Sequence, residues 1–206
     1  MADERKSGKL ILDNLAMFKE SVELFEQQIQ PEVFTEIRSC IESWANQNGW
    51  ICGALDRTRN DSWWIAPASW RPDGHNGLPN VWFGFCNEAR FEGSFNLAKL
   101  CGCGQDRLGF SWWGNTQYLG LTNAQLKTFC RNFPPEKSRK LTELGWHDRG
   151  NWIIWFMPVS IDSAKLGTAY ENQDYKEALQ PLLQTLEKLK TSQAIFDEIL
   201  NLHGIA

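Results

Sequence analysis

A covalent hydrolase of the Cys–His or Ser–His kind needs a histidine as base. This chain offers His75, His147 and His203. His75 stands in the turn-rich segment RPDGHNGLPN, close to Arg71 and Asp73. No G-x-S-x-G nucleophile elbow accompanies these histidines. Cys101 and Cys103 form a close pair with one intervening residue. Structural zinc sites use two such pairs, usually with wider spacing, so Cys86, Cys130, His75 or His147 would have to complete a site from a distance. The segment CGCGQDRLG lacks the Lys-Ser/Thr of a phosphate-binding loop and precedes a predicted strand. A magnesium-dependent nuclease needs an acid followed by Glu-x-Lys on a neighbouring strand. Asp56, Asp61, Asp73 and Glu88 are candidate acids, but no Glu-x-Lys follows in Val81–Cys86. No catalytic residue, metal ligand or cofactor is therefore assigned.

The remaining signal is aromatic and basic. Ten of the 11 tryptophans fall between residues 50 and 155, including the pairs Trp63-Trp64 and Trp112-Trp113. Indoles can fill a core, stack on flat ligands or anchor an interface. Adjacent residues of a strand point to opposite faces, so each pair should place one ring on each side of a sheet. One ring then belongs to the core. The other is covered by helices or left open for contact. Arg57, Arg59 and Arg71 flank Trp63, Trp64 and Trp70, and arginine beside indole suits a nucleotide, a single strand or a protein partner. The predicted binding residues are Arg57, Arg59, Trp63, Trp64, Arg71, His75 and Trp113.

The elements that must position these residues follow from periodicity. Leu15, Phe18, Val22, Phe25 and Ile29 mark an amphipathic helix over residues 9–30. Pro31 suits the first turn of a second helix, striped by Val33, Ile37, Ile41 and Trp44 and ending before Gly49. The two are expected as a hairpin or a bent pair. Strands are predicted at Trp50–Leu55, Ser62–Trp70, Val81–Cys86, residues 90–100 and Arg107–Trp113, as an antiparallel meander. Thr122 is a candidate N-cap for a helix over 123–132, and a short helix over 136–144 precedes Gly145. Asn151–Val159 is apolar on both faces and is the candidate central strand. Residues 171–203 are predicted helical, with Pro181 marking a kink or a start. Their leucine stripe needs an apolar partner, either the domain's own sheet or a second copy in a homodimer.

The fold class is thus α+β, an antiparallel sheet of five to six strands packed against N-terminal helices and a long C-terminal helix. A helical segment over 1–48 and an α+β domain over 49–206 are expected to form one unit. The net charge of −4 argues against a general nucleic-acid coat protein. No run of 18 apolar residues and no signal-peptide core is present. A cytoplasmic setting without membrane contact, with reduced thiols, is expected.

Trp63-Trp64-Ile65, Trp70 before a Pro/Gly loop, Val81-Trp82-Phe83-Gly84-Phe85 and Trp112-Trp113, followed by a long helix after Trp152–Phe156, give residues 62–120 and beyond a particular order. That order resembles the C-terminal accessory modules of unassigned function on PD-(D/E)XK nuclease-like proteins of bacteria and phages. The nuclease half has no counterpart in this sequence. The resemblance implies a non-catalytic recognition domain from bacterial defence or phage counter-defence. The expected function is a non-enzymatic binding or regulatory protein that recognises a protein or nucleic-acid component. The alternatives are a divergent metal-dependent nuclease and a small-nucleotide-binding protein.

Overall fold

A computed structural model describes residues 2–54, 63–71, 78–88, 95–103, 106–116, 119–122, 124–126, 128, 132–148 and 155–202. Helices α1 (Ala2–Asp13) and α2 (Leu15–Leu24) meet at a bend at Asn14, whose φ is −124° and ψ 35°. A π-helical segment, Phe25–Ile29, joins α2 directly to α3 (Gln30–Asn48). The expected hairpin or bend at Pro31 is corrected: the helix passes through Pro31, and the break lies 17 residues earlier, at Asn14. Pro31 sits in the first turn of α3, where a missing N–H costs little. The wide π turn just ahead of it takes up the change in hydrogen-bond pattern. Gly49, at φ 69°, caps α3 in the left-handed region and turns the chain into the sheet.

The sheet has six antiparallel strands: β1 (Trp50–Ala54), β2 (Trp63–Pro67), β3 (Val81–Asn87), β4 (Leu108–Gly114), β5 (His147–Asp148) and β6 (Trp155–Pro158). Their order is β1-β2-β3-β4-β6-β5. The first four form a meander, but β3 pairs directly with β4, where the expected meander placed a strand over residues 90–100 between them. The strand within Asn151–Val159 is not central. Its described part, β6, lies between β4 and the two-residue β5, and the centre belongs to β3 and β4. The predicted strand over 90–100 is also corrected. Asn96–Leu100 is a short helix, α4, that buries Leu97 and Leu100, three residues apart; residues 90–94 of that prediction lie outside the described residues. Thr122 caps the next helical turn as expected: its Oγ1 accepts from Gln125 N at 3.2 Å, and Gln125 Oε1 accepts from Thr122 N at 2.8 Å.

Three further helices complete the order: α5 (Pro135–Glu143), α6 (Ser163–Asn172) and α7 (Gln180–Leu202). The predicted helix over 171–203 starts later than expected: residues 173–179 are turns and irregular chain, α7 begins at Gln180, and Pro181 marks its start. Leu182, Leu186 and Leu189 of α7 are fully buried. Its leucine stripe is consumed by the chain's own core.

Phe196 of α7 is the hub of that core. Its ring stacks on Trp112 at 5.3 Å with a 6° interplanar angle. It also meets Phe83, Trp146 and Phe133 edge-on, at 5.6, 5.4 and 6.3 Å. Three indole N–H groups then donate to α7 along its length. Trp44 of α3 reaches Glu187 Oε1 at 2.7 Å, Trp146 reaches Ser192 Oγ at 2.7 Å, and Trp70 reaches Asp197 Oδ1 at 2.5 Å. Each of these three rings is apolar where it meets the core and polar where it meets α7, an arrangement that suits a buried indole. Phe196→Ala should lower the unfolding free energy by about 3–5 kcal/mol, since it removes a ring whose site cannot collapse. Denaturant unfolding followed by tryptophan fluorescence checks this.

Candidate functional site

Strand alternation divides the tryptophan pairs as predicted, one ring on each face. Trp63 faces the helices: it meets Phe34 of α3 at 6.0 Å and stacks on Phe85 at 5.5 Å. Trp112 faces them too, under Phe196 and Phe133. Trp64 and Trp113 lie on the opposite face. The registers Gly53↔Trp64, Trp64↔Gly84, Gly84↔Ser111 and Ser111↔Phe156 trace one row of that face across five strands. Trp82 and Trp113 are paired across β3 and β4 on the same side.

Two glycines make room for these rings. A Cβ on Gly53 would lie 2.9 Å from the Trp64 ring, and a Cβ on Gly84 would lie 2.9 Å from the Trp113 ring. The same Gly84 position is 3.5 Å from Trp82 Nε1. The indoles thus lie down over bare backbone, with Trp82 and Trp113 flanking Gly84. The glycines serve side-chain space here, not a left-handed turn.

Accessibility separates the rings. Trp63 and Trp64 are buried, at 4% and 6% exposure, so neither presents a free ring to solvent. Trp82 and Trp113 are half-buried. Arg71 follows β2 and a 3₁₀ turn, and its guanidinium carbon lies 5.9 Å from the Trp64 ring centroid. Among the described residues nothing accepts a hydrogen bond from the buried Arg71 Nε. The structure therefore brings Arg71 to Trp64 and puts Trp113 on the same face; Trp63 belongs to the core. Arg57, Arg59 and His75 lie outside the described residues. Trp82 was missed from sequence, where it is a single indole inside an apolar run. Its signal is positional: it shares parity with Gly84, which only the β3–β4 register pairs with the Trp113 side.

The same face holds Cys86, whose Sγ is 3.2 Å from Ser111 Oγ. Burial pushes the Cys86 thiol up to about 11, outweighing hydrogen bonds from Ser111 and Trp113 that pull it down. Burial likewise raises Cys40 and Cys101 to about 11. These thiols are protonated at neutral pH and lack the thiolate that nucleophilic chemistry needs. Glu88, an acid of the nuclease alternative, is 3% exposed and gripped at both oxygens by Arg107, at 2.7 and 2.8 Å. Asp56, Asp61 and Asp73 lie outside the described residues. Among the described residues no group of three or more His, Cys, Asp or Glu side chains could hold a metal ion. Among them, too, no helix is long and apolar enough to cross a membrane.

No protein-family model, no curated protein and no solved structure matches this chain.

The thiol arrangement gives a direct expectation. Burial pushes the Cys86 thiol up to about 11, while Cys103 is exposed. Iodoacetamide at pH 8 should label Cys103 and spare Cys86 in the folded protein, and label both in denaturant, as read by peptide mass spectrometry.

Proposed function

We propose that this is a non-enzymatic binding protein whose partner-facing surface is the sheet face bearing Trp82, Trp113 and Arg71, and that the partner is a protein. The observation that carries the reading is the cross-strand indole pair laid flat over Gly84 and left half-exposed. Flat, rigid rings of this kind supply contact area at little cost in side-chain entropy. Arg71, half-buried with its guanidinium beside the Trp64 ring, adds a group suited to a carboxylate or carbonyl of the partner. Arg57, Arg59 and His75, which lie outside the described residues, are proposed as binding residues on sequence grounds alone. The net charge of −4 favours a protein partner over a nucleic-acid backbone. The described cysteines are free thiols, which suits a reducing compartment, so the proposed setting is the cytoplasm. A place in bacterial defence or phage counter-defence follows from the resemblance of the aromatic pattern and is proposed on that footing.

The test compares the wild-type chain with a Trp82→Ala, Trp113→Ala, Arg71→Ala variant verified as folded by circular dichroism. Both are used to capture proteins from nuclease-treated host lysate. A protein held by the wild type should be lost by the variant, and each indole truncation should weaken the purified pair by about 2 kcal/mol, roughly 30-fold. Identical capture by both forms rules the surface out. Binding to labelled single-stranded DNA or RNA without protein capture assigns the face to nucleic acid instead. Quenching of indole fluorescence by a free nucleotide marks a small-molecule site.

A further inference from the structure

A pocket of about 300 Å³ opens where the last two turns of α7 meet the 3₁₀ turn at Trp70 and the start of β3. That volume is at the lower end of the range for small-ligand sites. Its apolar wall is built from Val81 and Leu200, both buried, and the half-buried Leu119. Its polar groups come from Asp197, Asn80, Asn201 and Ser69.

Trp70 holds two of these groups in place. Its indole N–H donates to Asp197 Oδ1 at 2.5 Å, and its backbone carbonyl accepts from Asn80 N at 2.9 Å. Asn80 O in turn accepts from Asn115 N at 2.8 Å, so the Asn80 backbone is bonded on both sides. Asp197 follows Phe196, whose ring anchors α7 to the sheet. Groups carried on elements fixed in this way are positioned before any ligand arrives.

Two features show what the pocket lacks. Asp197 is half-buried and accepts hydrogen bonds only from neutral donors, Trp70 and, at 3.4 Å, Gln193 Nε2. Among the described residues it makes no ion pair, and no lysine, arginine or histidine lines the pocket. A carboxylate drawn partly out of water without a countercharge favours the arrival of a cation. The second feature is Asn80 Oδ1, which is sealed from water and has no hydrogen-bond partner among the described residues. Buried acceptors in that state are uncommon and point to an absent partner. Asn201 and Ser69, both exposed, add an amide and a hydroxyl oxygen at the rim. An ammonium group has three donors and no acceptor, which is the complement of this set. A phosphate or carboxylate would meet the charge of Asp197 instead.

We propose that this pocket binds a small organic ammonium ion, with its N–H groups toward Asp197 and Asn80 and its hydrocarbon part against Val81, Leu119 and Leu200. The pocket shares no residue with Trp82, Trp113 and Arg71 of the indole face and stands or falls without it.

Isothermal titration calorimetry of the full chain at neutral pH tests the site with phenethylamine, hexylamine and cadaverine, all protonated there. At least one should bind saturably at a single site with a Kd of about 1 mM or tighter. Phenethyl alcohol and phenylpropionate, of similar size but neutral or anionic, should bind at least about 10-fold more weakly. Asp197→Asn keeps an oxygen for the Trp70 N–H, so circular dichroism should be unchanged, yet the amine should bind about 10-fold more weakly or worse. Ser69→Trp, placed at an exposed rim position, should block the pocket and abolish amine binding with Asp197 intact. Three results overturn the proposal: no saturable binding by any of the three amines, alcohol or acid binding as tight as the amine, or amine binding that Asp197→Asn leaves unaltered. Should Asp197→Asn unfold the chain, Ser69→Trp decides alone, and undiminished amine binding by that variant overturns the site.

Discussion

The seat of Phe196 against the sheet is the contact on which the rest depends. One ring from α7 touches the centre of the sheet through Phe83 and Trp112, and the loop-borne Trp146 and Phe133 beyond them. The stacking fixes where α7 lies. The indole N–H bonds to Glu187, Ser192 and Asp197 fix how it is rotated. Dispersion and apolar burial supply most of the binding between helix and sheet. The N–H bonds contribute less net energy, but a buried indole nitrogen without a partner is costly, so they exclude a slipped α7. The same contact sets what the opposite face can do. Because Trp63 and Trp112 are committed to the helices, their sequence neighbours Trp64 and Trp113 are turned away from them.

Much of this was legible in the chain. The two Trp-Trp pairs disclosed two-sided placement, because a strand's alternation is a property of its own backbone. The antiparallel run from β1 to β3 followed from turn residues between apolar runs, and Thr122 and Gly49 announced helix ends through local hydrogen-bond chemistry. What failed to show depended on distant contacts. Asn96–Leu100 is too short for its apolar spacing to separate helix from strand, and its choice is settled by packing and by Gln30, whose side-chain oxygen accepts from Leu97 N at 3.2 Å. The apolar character of Asn151–Val159 suggested a central strand, yet β5 needs only two residues to leave β6 next to the edge. Pro31 looked like a break because proline usually ends a helix. The π turn before it removes that conflict. Asn14 gave no comparable warning.

The candidate site was legible in kind and incomplete in membership. Arg71 beside an indole could be read from proximity in sequence, whereas Trp82 could not. Its pairing with Trp113 is a fact of register, and register is decided jointly by every pair along β3 and β4. Gly53 and Gly84 were equally silent, since a strand glycine signals a close approach without saying which ring makes it.

The hydrogen bonds that hold α7 also impose an order in time. They span 143, 127 and 46 residues of sequence. During synthesis the sheet residues precede α7, so Phe83, Trp112 and Trp146 lack their cover until Gln180–Leu202 has been made. Closing loops of that length is slow, and uncovered aromatic surface invites association with other chains. The tryptophan wealth that makes the finished core dense makes the half-made chain adhesive until α7 arrives to cover it.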